Sequence, residues 1–468
     1  MNYVSTRGEA PVLGFDDVLL TGLARDGGLY VPQTLPILDY APLAGRAYAD
    51  VAFAVMQPFV GGDVPDTEFR QIITDAYATF AHAATCPLVQ IGGNEWVLEL
   101  FHGPTLAFKD VAMQVLGRLM DRTLKKRGAR ATVIGATSGD TGSAAIEAFR
   151  GRDSLDIFIL HPHGRTSDVQ RKQMTTAVDD NVHNIAIEGT FDACQGLVKA
   201  LFNDHAYRDR LQLAGVNSIN WARIMAQIVY YVTAANALGA NGTRKIAFSV
   251  PTGNFGDVFA GFVAERMGGP IAKLIIGTNA NDILGRAINY GTYAPRQTKA
   301  TQSPSMDIQV SSNFERLLFE IARRDPAMVR HWMGELAQTG KFDFPNDQFK
   351  SNGKFAFMQS HAISEHETTS TIAEVYKSSG YVADPHTAVG IASARSTPPT
   401  DGQPIVCLAT AHPAKFPDAV LRAIGRMPDV PERLARVLDA KERYTILPND
   451  FAAVAKFISA RAQIGRPA

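Results

Sequence analysis

Cysteine is scarce in this chain: three occur among 468 residues, Cys86, Cys194 and Cys407. Their odd number, wide spacing and lack of any Cys-x-x-Cys pair exclude a disulfide framework and a zinc site. A reducing, cytoplasmic setting fits such usage, and no metal centre is expected. A charge excess is also missing, because Lys and Arg number 46 and so do Asp and Glu. Nucleic-acid binders carry a basic excess or a basic tail, so that class is set aside. Long apolar runs are lacking too. The nearest, residues 224–240, is interrupted by Gln227, Thr233 and Asn236 and follows Arg223, so it reads as a core helix and not a membrane span. The first twenty residues hold no basic stretch followed by an apolar one, as a secretory signal would. Neither a Walker loop nor a GxGxxG fingerprint is found, which removes the usual nucleotide-binding readings.

What is present is the composition of an ordinary globular protein, 46% hydrophobic and 20% charged. At about 100–200 residues per domain, the length suggests two to four domains. Residues 1–95 mix short helical patterns with Pro- and Gly-punctuated turns, and 69–80 has apolar residues at helical spacing. From there, strand-like runs alternate with glycine loops and longer helices: 96–101, 131–135, 155–160, 246–250, 274–277 and 405–409 read as strands. This alternation predicts an α/β chain with mainly parallel sheets. The stretch 290–400 reads as polar loops with two helical runs, elaborating the second half. The tail 431–468 reads as helix, turn and helix.

Three loops sit where strand gives way to helix. GATSGDTG (135–142) and GNFGD (253–257) occupy the junction where free backbone N–H groups and the helix dipole collect anions. A plain tight turn accounts equally well for one such loop; two in one chain favour anion binding. The third, HGPTLAFKD (102–110), places Lys109 in the first turn of a helix. There the macrodipole and burial among Leu106, Phe108 and Met113 both disfavour the charged amine. A lysine so placed is suited to forming a Schiff base, although a lone lysine is ordinarily a solvated surface residue.

Taken in order, these three motifs resemble the fold type II pyridoxal-phosphate enzymes, a tryptophan synthase β-like fold. Within them the chain is similar to the threonine synthase family, in its longer form with an N-terminal extension. NSINWARIMAQ (217–227), GTNANDIL (277–284), SPSMDIQVSSNFERLLFE (303–320), DPHTAV (384–389) and LATAHPAKF (408–416) carry the same resemblance. It implies two open, mainly parallel sheet domains: a large cofactor domain from 96–130 and 240–430, and a small substrate-closing domain at 131–239. An extension domain at 1–95 and a helical tail at 431–468 complete the chain. It further implies pyridoxal 5′-phosphate as cofactor, with Lys109 as the Schiff-base lysine and Gly253, Asn254, Phe255 and Gly256 around the phosphate. Thr410 would meet the pyridine nitrogen, at a strand end where an open α/β sheet binds its ligands, although by position alone it reads as an ordinary strand-end threonine. Thr137, Ser138, Gly139 and Thr141 would hold the substrate carboxylate. Asp140 stands where the wider fold usually has Asn against the cofactor, and a carboxylate cannot donate there unless protonated. Asn217, Ser218, Asn220 and Arg223 would hold the substrate phosphate, Arg being suited to bidentate contact. Lys415 and Arg165 are weaker candidates for the same site, His412 is a weaker candidate for a polar contact near the cofactor, and His386 reads as structural.

The implied reaction is a carbon–oxygen lyase step that closes threonine biosynthesis. O-phospho-L-homoserine and water become L-threonine and phosphate by γ-elimination and β-addition of water. Lys109 would then serve as general base and acid, and the released phosphate would stay to orient the attacking water. No membrane or nucleic-acid partner is expected, and the chain would be a monomer or homodimer. The rival readings are a threonine or serine dehydratase or another β-replacing enzyme of the same fold, a silent cofactor-binding relative, and a nucleotide-binding α/β protein.

Overall fold

The computed structural model describes residues 1–137, 139–215, 218–240, 244–349, 353–397 and 402–464. The chain divides into two compact units. The first comprises Met1–Val18, Leu23–Phe108 and Ser218–Asp429, and the second Leu19–Gly22, Lys109–Asn217 and Val430–Ala468.

The first unit is built on a six-stranded sheet in the order Met358–Ala362, Ile271–Thr278, Ile246–Pro251, Ile405–Ala409, Glu95–Glu99, Leu88–Gln90. Neighbouring strands run parallel except for Leu88–Gln90, which pairs antiparallel at one edge. Ile246–Pro251 and Ile405–Ala409 are buried along their whole length. A central parallel strand has helices over both faces, which is why these strands read as continuous apolar runs without alternation. Ser249 is the polar exception, and its hydroxyl donates to the Gly390 carbonyl at 2.6 Å, tying the strand to helix Pro385–Ser396. Because the strands are parallel, Pro251, Thr278, Glu99 and Ala409 all end at one edge of the sheet. Aromatic packing around Tyr293, Phe314, Trp332, Phe342 and Phe344 consolidates the later part of this unit.

The second unit holds a wholly parallel five-stranded sheet, ordered Thr445–Pro448, Val182–Glu188, Leu155–Pro162, Ala131–Ala136, Leu213–Gly215. Its core gathers Ile134, Phe158, Leu160, Ile185, Cys194, Leu201, Val454 and Ile458.

Several sequence expectations need correction. Helix Lys109–Lys126 belongs to the second unit and helix Trp221–Ala237 to the first, so the boundaries at 130/131 and 239/240 shift. A helix joining two sheets has an apolar stripe in either case, and its sequence does not say which sheet it covers. The extension at 1–95 does not form a unit of its own: apart from Leu19–Gly22, its residues fall within the first one. The tail is more than helix, turn and helix, for Thr445–Pro448 adds an edge strand to the second sheet. Among the described residues, the stretch 290–400 holds four α-helices, not two, and the strands Thr292–Tyr293, Phe342–Asp343 and Met358–Ala362. Met358–Ala362 and Thr445–Pro448 are short, half-buried edge strands, and one ends on proline, so neither shows the apolar run of a central strand. The interior strand Val182–Glu188 was also missed, its apolar residues being broken by His183 and Asn184.

The tail is also fastened by charge. The Glu442 carboxylate accepts from Arg171 Nε and Nη2 at 2.8 and 3.1 Å and from the Thr175 hydroxyl at 2.7 Å. These hydrogen bonds, Arg171 first, hold the Glu442 carboxyl below its usual range against a smaller desolvation effect. A lowered carboxyl pKa stabilises the fold above the unfolded value near 4.3 and loses that contribution as the pH falls through the folded value. Glu442→Gln is expected to cost about 1 kcal/mol at pH 7, the upper end for a solvent-screened pair. In urea titrations the difference from the parent should narrow as pH drops from 7 toward 4; a constant difference would contradict the assignment.

Candidate active site

In the first unit, strand Ile246–Pro251 runs out of the sheet into Thr252, Gly253 and Asn254. Phe255 turns the chain with φ 62°, and helix Gly256–Arg266 begins with no side-chain cap on its N-terminus. Uncapped N–H groups at a helix start suit an anion. The loop carbonyls are engaged elsewhere: the Ser311 hydroxyl donates to Gly253 O at 2.7 Å, and Asn313 N and Nδ2 donate to Asn254 O at 3.1 and 3.0 Å. A side chain at Gly253 would stand 3.0 Å from the Ser305 carbonyl and 2.9 Å from Ile308 Cδ1, so glycine is required by close approach. The Phe255 ring is buried edge-on against Phe314, leaving only its backbone toward a ligand. The packing segment is itself braced, since Asp307 accepts from Asn279, Asn281 and Thr301. His386 adds a brace: its Nε2 accepts from Ser305 N–H at 3.2 Å, so Nδ1 carries the proton toward Asp384 Oδ2, 2.7 Å away.

Thr410 follows the strand Ile405–Ala409, and its carbonyl accepts from Phe108 N–H at 2.8 Å. His412 N–H in turn donates to Leu106 O at 3.0 Å, so the loop before Lys109 is sewn to the strand end. Leu106 takes φ 60°, a strained conformation for a branched residue. Lys415 is buried, and its Nζ donates to the Thr105 carbonyl at 2.8 Å. His412 Nδ1 accepts from Ala414 N–H at 3.1 Å, and burial pushes the imidazole pKa down to about 4. His412 is thus a neutral turn cap, and Lys415 is bound to the loop before Lys109.

Arg223 lies one turn into helix Trp221–Ala237 and is 4% exposed. Its Nε and Nη1 have no hydrogen-bond partner among the described residues. Burial pushes its pKa down to about 10, so the guanidinium stays charged at neutral pH. A desolvated cation with unbonded donors calls for an anion. Asn220 caps the same helix, its Oδ1 accepting from Ala222 N–H at 3.0 Å. Ser218 is half-buried and its carbonyl accepts from Asn313 Nδ2 at 3.3 Å. Asn217 and Ser138 lie outside the described residues.

In the second unit, Lys109 opens helix Lys109–Lys126, is 9% exposed, and has its Nζ 3.6 Å from Asp140 Oδ2. The carboxylate sets a negative charge beside the amine, a partner absent from the sequence argument. Asp140 Oδ1 accepts from Gln170 Nε2 at 3.0 Å. Gly139, with φ 154°, makes room for that glutamine: a Cβ there would lie 2.3 Å from Gln170 Cδ. Thr137 shapes the loop, its hydroxyl accepting from the N–H groups of Gly139 and Gly142, each at 3.0 Å. Thr141 is half-buried in the first turn of helix Asp140–Phe149. Arg165 is exposed on the loop after Leu155–Pro162.

Sequence reasoning missed Gln170, Asn313, Arg316 and Asp257. Asp257 follows the phosphate-type loop directly and is 6% exposed. Its Oδ1 accepts from the Tyr230 and Tyr231 hydroxyls, the latter at 3.1 Å. Its Oδ2 has no partner among the described residues, and burial pushes its pKa up to about 6 against the two tyrosine bonds. A raised carboxyl pKa gives stability that is complete below the unfolded value near 4 and is lost as pH rises through about 6. Asp257→Asn is therefore expected to stabilise the chain by on the order of 2 kcal/mol at pH 7 and by little at pH 4. Unfolding titrations across that range check it; an advantage independent of pH would refute it.

The "Threonine synthase N terminus" family matches residues 2–77, "Pyridoxal-phosphate dependent enzyme" matches 84–341, and "Threonine synthase, C-terminal" matches 387–458. The chain is 53% identical over 471 residues to the threonine synthase of Pseudomonas aeruginosa, covering 100% of both chains. It is 41% identical to that of Saccharomyces cerevisiae, covering 94% of each. Among solved structures, the PLP-bound threonine synthase of Brucella melitensis superposes with TM-score 0.95 at 55% identity, covering 99% of this chain and 100% of that one. The yeast enzyme superposes with TM-score 0.93 at 39% identity, covering 98% of each. The chain belongs to the threonine synthase family of fold type II pyridoxal-phosphate enzymes.

Proposed function

We propose a division of labour among these residues for the threonine synthase reaction, which converts O-phospho-L-homoserine and water to L-threonine and phosphate. The observation that carries it is the buried Arg223 guanidinium with two nitrogens unbonded among the described residues, which suits a substrate that is itself a phosphate ester. A dehydratase acting on threonine or serine has no such second anion to hold.

The residues present fit pyridoxal 5′-phosphate. The uncapped helix start behind Gly253–Gly256 suits its phosphate, the buried Lys109 its carbonyl carbon, and Thr410 its ring nitrogen. When bound, the cofactor supplies the electron sink that lets carbanion character develop on the substrate. Thr410 offers a hydroxyl and not a carboxylate to the ring nitrogen.

Lys109 Nζ moves protons at Cα and Cβ of the substrate. Asp140, 3.6 Å from that nitrogen and steadied by Gln170, holds the amine in position. The N–H groups of the loop shaped by Thr137, with the Ser138 and Thr141 hydroxyls, fix the α-carboxylate and so the direction of the Cα–H bond. Arg223, with the Asn217–Asn220 stretch, steadies the phosphate that leaves from Cγ. The released phosphate remains beside Arg223 and orients the water that adds at Cβ. The chain acts in the cytoplasm as a monomer or homodimer, a setting compatible with three buried, unpaired cysteines.

Two variants test this reading. Lys109→Ala should lose turnover and also the borohydride-stable label that the parent carries on that lysine; full activity would overturn it. Arg223→Gln should raise KM for O-phosphohomoserine and weaken product inhibition by phosphate, each by about tenfold to a hundredfold, as loss of a charge-assisted bond predicts. Unchanged phosphate inhibition in that variant would remove Arg223 from the phosphate site.

A further inference from the structure

Arg316, in helix Phe314–Ile321, is fully buried within the first unit. Its Nε and Nη2 donate to the Tyr30 carbonyl at 3.2 and 2.9 Å, and Nη2 also donates to the Ile219 carbonyl at 2.5 Å. Its Nη1 donates to Asn313 Oδ1. That last bond settles which way the Asn313 amide faces, because a guanidinium has no acceptor. Asn313 Nδ2 is thereby turned to the Asn254 and Ser218 carbonyls, at 3.0 and 3.3 Å, while Asn313 N–H donates to Asn254 as well. A Cβ placed on Gly256 would stand 3.3 Å from Asn313 Nδ2, so the loop packs directly on this amide.

One guanidinium therefore joins three segments: the N-terminal stretch at Tyr30, the 218–220 stretch, and the 253–256 loop. These hydrogen-bond partners are neutral carbonyls and an amide. The adjacent carboxylate, Glu315, is engaged by the Thr6 hydroxyl at 2.6 Å and by Arg7 at 3.1 and 2.9 Å. A positive charge is left out of water behind two stretches assigned to phosphates, where its field is weakly screened.

We infer that Arg316 and Asn313 are positioning residues for anion binding: they hold the Asn254 and Ser218 carbonyls away from the ligand and aim the loop N–H groups at the cofactor phosphate. The anchor is the N-terminal segment, through the Tyr30 carbonyl, so residues outside the catalytic loops set phosphate affinity. This rests on the reading that Gly253–Gly256 hold the cofactor phosphate.

The test compares two aldehydes, pyridoxal 5′-phosphate and pyridoxal, titrated by visible absorbance into the full-length chain freed of cofactor. The parent should bind the phosphorylated form much more tightly. Asn313→Ala should weaken binding of pyridoxal 5′-phosphate by about tenfold to a hundredfold and that of pyridoxal by about twofold at most. Arg316→Lys keeps the charge but cannot reach all three acceptors, so it should lie between the two. Where Asn313→Ala yields no folded protein, Asn313→Asp, of the same shape but without the donor, carries the same comparison. Equal weakening of both aldehydes, or no weakening, overturns the inference. A parent chain that does not discriminate between them overturns the loop reading instead.

Discussion

The chain is neutral as a whole, yet its cofactor and its substrate both bring phosphate. The positive potential for them has to be local, and Arg223 offers a guanidinium taken out of water with two nitrogens unbonded among the described residues. Arg223 is held in that state by the helix it starts: Asn220 caps the turn before it, and apolar residues surround the rest. Folding around such a charge is unfavourable by itself, and binding an anion recovers the cost. The uncapped start of helix Gly256–Arg266 expresses the same logic with partial charges instead of a whole one.

Much of the first unit exists to keep these groups in place. Trp221, two residues before Arg223, is packed edge-on by Phe59 and tilted against Tyr3, both from the N-terminal stretch. Tyr3 in turn donates to the Phe59 carbonyl at 2.7 Å. The residues that read as an extension in sequence are therefore part of the framework around the Arg223 helix. On the other side, the Asp307 cluster stiffens the segment that packs on Gly253, and Lys415 with the Thr410 carbonyl fixes the loop that ends one residue before Lys109. Leu106 and Phe255, both non-glycine residues at positive φ, put backbone strain in these two loops.

The alternation of apolar runs with glycine loops made the parallel α/β class legible, because most buried central strands show as continuous apolar runs; Val182–Glu188, interrupted by His183 and Asn184, did not. The placement of Lys109 and of the 253–256 loop at helix starts was legible from the motifs, whereas Thr410 was singled out by the family resemblance alone. The edge strands Met358–Ala362 and Thr445–Pro448 were not, being short and half exposed. Nor was the assignment of the two crossover helices to their sheets. Within the site, Asn313 and Arg316 stood in a quoted motif, but their role depends on bonds to residues nearly 100 and nearly 300 positions away, which no local pattern encodes. Gln170 and Asp257 escaped for the same reason, their partners being distant in sequence.

The account holds that phosphate loss from Cγ and water addition at Cβ are completed by one set of residues on one bound substrate. Simultaneous measurement of phosphate and threonine during turnover of O-phosphohomoserine tests this most directly. The account predicts that the two appear in equal amounts throughout. Phosphate released without matching threonine, with 2-oxobutyrate in its place, would contradict it.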